Sequence, residues 1–187
     1  MNLLTIYTSS RRNGNSEQLA KHVTATINTA ELFLSDFSFQ PIKDQRHSRQ
    51  TFDPIHDGYR DVLETFLQYD TYLFAIPVYW FSMPAQLKIF IDRWSQYMRD
   101  PQLRLKDQLT GKKVYLVVTA NDEPLEQITA PLVQQFDLIC NFIGLELVEV
   151  IIGKGNKPGE VLEDHTALQK AAELNKKLLN RAEALRK

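Results

Sequence analysis

Ten consecutive residues near the start of the chain, Tyr7–Ser16 (YTSSRRNGNS), are rich in hydrogen-bond donors. Serine hydroxyls, asparagine amides and two arginine guanidinium groups surround one glycine, Gly14. Arginine can clamp phosphate oxygens through two parallel hydrogen bonds, and glycine lets the backbone turn tightly. These residue types favour a phosphate-binding loop. The alternative is a solvated turn in which Asn15 or Ser16 caps a helix and both arginines point into water.

A second segment, Pro77–Trp94 (PVYWFSMPAQLKIFIDRW), places three aromatic residues directly after an apolar run. Tyr79, Trp80 and Phe81 follow Pro77, a residue type that interrupts strand pairing and leaves backbone groups free. Rings at such a position could stack on a planar ligand, and the free N–H groups could bond its polar edge. The alternative is that these aromatic residues are core or dimer contacts.

Short apolar runs alternate with amphipathic segments along the whole chain. The runs typical of buried parallel strands are Leu3–Thr8, Glu31–Phe37, Thr71–Ile76, Lys113–Thr119 and Leu145–Ile152. Helical periodicity is predicted to begin at Ser16, at Asp53-Pro54, at Pro84, after the loop Ala120–Pro131 and after Gly159. The third of these helices is expected to run to Met98 without a break.

Five strands alternating with helices predict an α/β protein, a three-layer fold with a parallel sheet covered by helices on both faces. Right-handed crossovers favour the flavodoxin-like strand order 2-1-3-4-5. Ligands in such folds bind beyond the carboxyl ends of the strands, where the order reverses between strands 1 and 3. We therefore expect the loops Thr8–Ser16, Pro77–Met83 and Ala120–Pro131 to meet at one edge of the sheet.

Length and charge narrow the class of protein further. The 187 residues are the size of a single domain with its own core, taken here as residues 1–187. A formal net charge of −1 provides no basic field for nucleic acid or an anionic membrane. No apolar stretch has membrane-spanning length and no leader pattern is present, so a cytoplasmic protein is expected. The single cysteine, Cys140, is expected to fill space in the core.

Several other functional classes lack their motifs. Neither G-x-x-x-x-G-K-[ST] nor a G-x-G-x-x-G after the first strand is present, which argues against P-loop hydrolases and dinucleotide folds of that type. Receiver domains share the strand order but need an aspartate where this chain reads Ala75-Ile76-Pro77. The glycines Gly153, Gly155 and Gly159 predict only a turn. No Ser/His/Asp arrangement indicates a protein nucleophile.

Charged residues outside the loops predict no further site. Arg93 is expected to be a helix-surface or packing charge. The polar stretch Gln40–Asp57 contains His47 and His56, but no cysteine and no carboxylate cluster accompanies them. Two histidines nine residues apart are a weak ligand set, so no metal site is predicted.

Taken together, the two loop segments resemble the NADPH-dependent FMN reductase family of flavodoxin-like oxidoreductases. Members of that family resemble G-S-P-R-x-x-G-N-[ST] after strand 1 and P-x-Y-x-x-x-[MP]-P-x-x-L-K-x-x-x-D-R after strand 3. The chain reads TSSRRNGNS over Thr8–Ser16 and PVYWFSMPAQLKIFIDR over Pro77–Arg93. Thr8 and Ser10 replace the usual glycine and proline. The later stretch IGLELVEVIIGKGNKPGEV is similar to the family's last strand and loop, so the resemblance covers nearly the whole chain.

By position, the resemblance implies which residues bind FMN. Those that would hold its phosphate are Ser9, Arg11, Asn13, Asn15 and Ser16. Those that would frame the isoalloxazine ring are Pro77, Val78, Tyr79, Trp80, Phe81 and Ser82. Those that would flank it are Thr119, Ala120 and Asn121. No catalytic side chain is implied, because the flavin carries the chemistry.

The resemblance also implies an activity. An FMN-dependent NAD(P)H oxidoreductase would pass a hydride from NADPH or NADH to the flavin, and then two electrons to a quinone, an azo or nitro compound, or free flavin. Its partners would be a small-molecule acceptor and further copies of the chain, as a homodimer or homotetramer. Two alternatives stay open: an electron carrier without its own NAD(P)H turnover, and a degenerate domain that binds a partner but no flavin.

Overall fold

A five-stranded parallel sheet in the order β2-β1-β3-β4-β5 forms the middle layer of the protein. The computed structural model describes residues 1–47, 52–121 and 123–185. The strands are β1 Leu3–Tyr7, β2 Ala30–Phe33, β3 Thr71–Pro77, β4 Lys113–Ala120 and β5 Glu146–Lys154. All four strand pairs within the sheet are parallel. The predicted fold class and strand order are confirmed.

Helices cover both faces of this sheet. They are α1 Asn15–Thr24, α2 Tyr59–Leu67, α3 Ala85–Asp92, α4 Trp94–Tyr97, α5 Leu105–Leu109, α6 Leu125–Ile143 and α7 His165–Ala184. Apolar residues of α1 and α7 pack on one face against Leu73 and Ala75 of β3. Residues of α2 to α6 pack on the other face against Phe74 and Ile76. Side chains alternate along the central strand because successive residues of a strand point to opposite faces.

Several element boundaries differ from the sequence prediction. The second strand ends at Phe33 rather than Phe37, because a 3-10 helix follows at Leu34–Asp36. Asp53-Pro54 does not open a helix; α2 begins at Tyr59 after Gly58, whose φ of 73° is a left-handed conformation suited to glycine.

The helix after β4 begins earlier than predicted. The expected loop Ala120–Pro131 is replaced from Leu125 onward by α6, which carries Pro131 in its interior. Proline removes one helical hydrogen bond, yet Thr129 and Leu132 on either side are fully buried. Packing of this face against the sheet therefore outweighs the local cost of the proline.

A fully buried arginine fixes the long connection between β2 and α2. Arg93, where the predicted helix Pro84–Met98 divides into α3 and α4, has no exposed side-chain surface. Its Nη1 donates to Asp57 Oδ2 at 2.8 Å and to the Gln40 carbonyl at 3.0 Å. Its guanidinium also lies 4.4 Å from the centre of the Tyr59 ring. Of the two roles expected for Arg93, packing is the one observed.

Three sequence predictions remain to be compared with the structure: the role of Cys140, the metal site and the membrane span. Burial raises the pKa of the Cys140 thiol to about 12, which suits a core residue rather than a nucleophile. Among the described residues, no group of three His, Cys, Asp or Glu side chains could hold a metal ion; the middle of the Gln40–Asp57 stretch, 48–51, lies outside those residues. In the same described part of the chain, no helix is long and apolar enough to cross a membrane.

Candidate functional site

The loops that follow β1, β3, β4 and β5 surround a cleft of about 500 Å³ at the carboxyl edge of the sheet. The cleft is lined by Ser9, Arg11, Gly14, Asn15, Ser16, Pro77, Val78, Tyr79, Trp80, Thr119, Ala120, Asn121, Gly155 and Asn156. All the predicted site residues except Asn13, Phe81 and Ser82 are in this lining. Depressions of similar volume lie elsewhere on the surface, so the donors that line this cleft distinguish it rather than its size.

The loop after β1 is held in shape by its own polar groups. The backbone N–H of Arg11 donates to Ser9 Oγ at 3.1 Å, and Ser9 Oγ lies 3.3 Å from the Tyr79 hydroxyl. Asn13 adopts a left-handed φ of 56°, which asparagine tolerates better than most residues. Its N–H donates to Glu17 Oε2 at 2.6 Å and its carbonyl accepts from the Gln18 side chain. Asn13 therefore lies at the turn of this loop. The contact between Asn13 and phosphate stays a prediction.

The two adjacent arginines of the loop have different surroundings. Arg12 lies over the Phe33 ring at 3.3 Å and donates to both carboxylate oxygens of Asp36, at 2.6 and 2.8 Å. Arg11 lines the cleft, and no carboxylate among the described residues forms an ion pair with it. Of the two cations, Arg11 is therefore the one positioned to meet an anion in the cleft.

The Phe33 ring under Arg12 also belongs to a stack that stiffens the edge of the sheet. Tyr7, the last residue of β1, stacks on Phe33 at 4.3 Å and donates its hydroxyl to Glu31. Burial, followed by the contact with Glu31, raises the pKa of Tyr7 well above its ordinary value, so its hydroxyl stays protonated. Together with the contact of Arg12 on the Phe33 ring, the stack joins the loop after β1 to β2.

Helix α1 starts at the cleft without a side-chain cap. Gly14 is the N-cap residue and, within the described part of the chain, no side chain caps the first N–H groups, so the expectation that Asn15 or Ser16 caps the helix is wrong. The first N–H groups of a helix have no partner within it, and they carry the positive end of the helix dipole. An uncapped helix start beside Arg11 is therefore suited to an anion.

The side chain of Asn15 has a structural role that its sequence position does not indicate. Its Oδ1 accepts hydrogen bonds from the N–H groups of Gly159 at 3.0 Å and Val161 at 3.3 Å. Gly155 passes close by, because a Cβ on it would lie 2.7 Å from Asn15 Nδ2. The loop after β5 thus closes one side of the cleft.

Sequence reasoning missed Gly14, Gly155 and Asn156 as lining residues. The available signal was the glycine-rich stretch after the last strand, which was interpreted only as a turn. Gly155 also donates its N–H to the Ala120 carbonyl at 2.9 Å. A side chain at this position would collide with the Asn15 side chain and with the backbone N of Val161, which is why glycine is needed there.

The loop after β3 makes the opposite side of the cleft. Val78 N–H donates to the Thr119 carbonyl at 2.8 Å, which joins this loop to the end of β4. Tyr79 and Ser82 exchange two backbone hydrogen bonds, each of 3.0 Å, so Trp80 and Phe81 form a two-residue turn between them. Phe81 and Ser82 do not line the cleft; the Ser82 hydroxyl instead donates to Gln135 Oε1 of α6 at 3.3 Å.

The donors in the cleft suit a molecule with two unlike ends. Hydroxyl, amide and guanidinium groups and the start of α1 gather at one end, as a phosphate requires. Pro77, Val78 and the Tyr79 ring line the β3 side, where the backbone and an aromatic side chain can meet a planar ring, while the Tyr79 hydroxyl reaches to 3.3 Å from Ser9 Oγ. The residues present therefore fit FMN, which carries both a phosphate and a planar ring.

Comparison with known proteins places the chain among flavin enzymes. Residues 1–178 match the Flavodoxin_2 family model, described as a flavodoxin-like fold. A curated Bacillus subtilis (strain 168) protein named as an NAD(P)H-dependent FMN-containing oxidoreductase, YwqN, is 37% identical over 186 residues, which is 99% of this chain and 100% of that protein. FMN-dependent NADH:quinone oxidoreductase 3 of Pseudomonas fluorescens (strain Pf0-1) is 28% identical over 120 residues, covering 62% of this chain and 59% of that protein. The solved structure of the Trp repressor binding protein from Bacillus subtilis has a TM-score of 0.76 and 33% identity, covering 92% of this chain and 97% of that one.

Proposed function

The chain belongs to the flavodoxin-like fold family, and from that premise we propose that it is an FMN-dependent NAD(P)H oxidoreductase. The observation that carries the proposal is a cleft in which an uncapped helix start and Arg11, which has no ion-pair partner among the described residues, lie with the aromatic turn after β3. The similarity to the Bacillus subtilis oxidoreductase over the whole chain supports the same conclusion. FMN, when bound, supplies the chemistry: it accepts a hydride from a reduced nicotinamide and passes two electrons to an acceptor.

In this proposal the residues of the protein bind FMN and orient its ring. Arg11 and the N–H groups at the start of α1 would hold the phosphate, and the Ser9 hydroxyl would lie close to it. Pro77, Val78 and Tyr79 would border the ring, with Thr119, Ala120 and Asn121 on the β4 side. The N–H groups of Val78, Tyr79 and Ser82 are donated to carbonyls, so the backbone N–H of Trp80, in the turn after β3, would be the one to stabilise negative charge on the reduced ring. No protein nucleophile takes part.

The acceptor, the assembly and the location are finer parts of the proposal. A quinone, an azo or nitro compound, or free flavin would take the electrons, and the name of the Pseudomonas fluorescens relative favours a quinone. A homodimer is proposed because an apolar groove between α3–α4 and α6 exposes Leu138 and Phe142. The cytoplasm is proposed as the location because NAD(P)H is available there.

Anaerobic reduction separates this enzyme from an electron carrier. FMN-loaded protein mixed with NADPH or NADH should lose its flavin absorbance within seconds, and a quinone should restore it with ping-pong kinetics. A carrier would be reduced by dithionite but by neither nicotinamide without a partner reductase. If neither nucleotide bleaches the flavin over many minutes, the oxidoreductase proposal is wrong. If no FMN binds at all, the domain instead serves a partner without flavin.

A further inference from the structure

A buried carboxylate lies in the first turn of α1, directly after two residues that line the cleft. The Glu17 side chain is 5% exposed. Its Oε1 accepts a hydrogen bond from Lys21 Nζ and its Oε2 accepts one from the backbone N–H of Asn13, both at 2.6 Å. The helix dipole favours an acidic residue in a first turn, but an exposed one would serve that purpose without the cost of taking a charge out of water. Helix stability alone therefore does not explain the buried position of Glu17.

The hydrogen bond of Glu17 differs from that of a common helix start. In a capping box, the acidic residue three positions after the N-cap bonds to the N–H of the N-cap residue itself. Gly14 is the N-cap here, and Glu17 bonds instead to Asn13, one residue earlier. Among the described residues, the N–H groups of Gly14, Asn15 and Ser16 consequently have no partner. The start of the helix keeps three donors for an anion instead of giving one to its own side chain.

The loop before the helix depends on this contact for its shape. Asn13 holds a left-handed φ of 56°. Its N–H bonds to Glu17 and its carbonyl accepts from Gln18 Nε2 at 2.9 Å, so both of its backbone polar groups are bound to the start of α1. A residue stays at such an angle only where its surroundings hold it there. Loss of the Glu17 contact would therefore loosen the backbone that carries Arg11, two residues earlier.

Lys21 neutralises the carboxylate one turn further along α1. Its ammonium group bonds to the second oxygen of Glu17 and offsets the negative charge. Because both oxygens are engaged, Glu17 does not turn toward the free N–H groups at the helix start. A neutralised carboxylate of this kind can shape the loop without repelling an anion in the cleft.

We propose that Glu17 is a positioning residue for FMN: its carboxylate holds the loop after β1 so that Arg11 and the N–H groups of Gly14–Ser16 are in place for the phosphate before the cofactor binds. This inference rests on the proposed function. Such preorganisation raises affinity, because the loop need not be ordered at the moment of binding. Glu17 does not itself line the cleft, so it acts through Asn13. Its effect should appear in the preference for FMN over riboflavin, which lacks the phosphate.

The test replaces Glu17 by methionine, which is similar in length but only a weak acceptor, and by glutamine, whose amide oxygen still accepts the Asn13 N–H. Fluorescence titration should show FMN binding weakened about tenfold in Glu17→Met, the order of one lost hydrogen bond to a charged group, with riboflavin binding unchanged. Glu17→Gln should bind FMN at least as tightly as the wild type, because it keeps the acceptor and removes a negative charge near the phosphate. Glu31→Met makes the same change at a carboxylate that bonds to the Tyr7 hydroxyl and does not line the cleft, and it should leave both flavins unaffected.

Three results of the titration would overturn the proposal. FMN binding that is unchanged or tighter in Glu17→Met would show that the charge matters and the hydrogen bond does not. A Glu17→Gln variant as weak as Glu17→Met would assign the effect to the ion pair with Lys21 instead. Equal weakening of FMN and riboflavin, together with a lower urea midpoint, would show that Glu17 only stabilises α1.

A measurement without flavin separates this inference from the proposed function. In the flavin-free chain, amide hydrogen exchange at Asn13 should be slow in the wild type and in Glu17→Gln, and about tenfold faster in Glu17→Met, because its N–H then lacks a strong acceptor. Equal exchange in all three proteins would contradict the role of Glu17. A wild-type protein that binds no FMN, or that neither nicotinamide reduces, would instead refute the proposed function, whereas the exchange comparison decides by itself whether Glu17 holds the loop.

Discussion

Arg11 and Arg12 are neighbours of the same residue type, but their different contacts give them different roles. Arg12 is occupied by Asp36 and the Phe33 ring, about 46% of its side chain remaining exposed. Arg11 has no such partner among the described residues and lines the cleft. A charge-assisted hydrogen bond to phosphate gains most when the donor has no competing anion, which makes Arg11 the stronger candidate.

The first prediction tests that assignment. Arg11→Ala should weaken FMN binding by about 1.5–3 kcal/mol, the value of a hydrogen bond to a charged group, because the phosphate loses a charged donor. Riboflavin, which lacks the phosphate, should bind the variant and the wild type equally. Fluorescence titration of both flavins measures the difference, and Arg12→Ala serves as the matched control with a smaller effect on FMN. Wild-type curves that coincide for FMN and riboflavin would show that Thr8–Ser16 is only a turn.

At the same scale, the sequence predicts residue types better than their contacts. The hydroxyl, amide and guanidinium groups of Thr8–Ser16 were sufficient to locate a donor-rich loop. They could not indicate that Asn13 would turn the chain or that Asn15 would accept hydrogen bonds from Gly159 and Val161. Those partners lie more than 140 residues away in sequence, so only the folded chain brings them together.

At the scale of elements, the prediction succeeds where the pattern is long and fails at boundaries. The apolar runs of β1, β3 and β4 were located nearly to the residue because each is buried on both faces. The edge strand β5, which is only partly buried, was located to within two residues at each end. The start of α6 was missed because Pro131 is a local signal against a helix, whereas burial of the flanking face is a tertiary effect. The partner of Arg93 was likewise not predictable, since Asp57 is 36 residues away.

The second prediction concerns that ion pair. Asp57→Asn should lower the free energy of unfolding by about 3 kcal/mol, because it leaves the buried Arg93 charge without its carboxylate. Urea unfolding at pH 7 measures the loss. Asp61→Asn, at an exposed position of α2, is the control and should change stability by less than about 0.5 kcal/mol. Similar losses in the two variants would contradict the role of the pair.

The ion pair between Asp57 and Arg93 should also make the stability of the protein depend on pH in the acid range. Burial alone would raise the pKa of Asp57, but hydrogen bonds from Arg93 and from the N–H groups of Gln40 and Tyr59 lower it overall. The folded carboxyl therefore binds fewer protons than the unfolded one, whose pKa is about 3.9. The stability it contributes is complete above about pH 4 and is lost as the pH falls through the folded pKa. Unfolding of Asp57→Asn should accordingly depend less on pH in this range than unfolding of the wild type.

At the scale of the whole molecule, the order of the strands could be predicted from the alternation of strands and helices along the chain. No sequence motif indicates how copies of the chain associate, so the subunit contact has to be argued from the surface of the folded protein. A groove of about 590 Å³ runs between α3–α4 and α6. Leu138 and Phe142 on its rim are 69% and 65% exposed, more than a monomer needs to leave uncovered. Lys88 and Asp92 also line it and form an ion pair with each other at 2.6 Å, so these two charges would not repel a second copy related by a twofold axis. The Ser82–Gln135 hydrogen bond connects this surface to the turn at the cleft.

The last prediction follows from that surface. If a second copy covers the groove, the wild-type protein should have twice the mass of one chain in light scattering at micromolar concentration. Leu138→Glu combined with Phe142→Glu should give the mass of a single chain, because a buried carboxylate without a partner is costly in an apolar interface. Leu185→Glu, a change of the same kind at a 61% exposed position near the end of α7, should leave the mass unchanged. A wild-type protein that stays monomeric, or a double variant that keeps the doubled mass, would show that the groove is not the subunit contact.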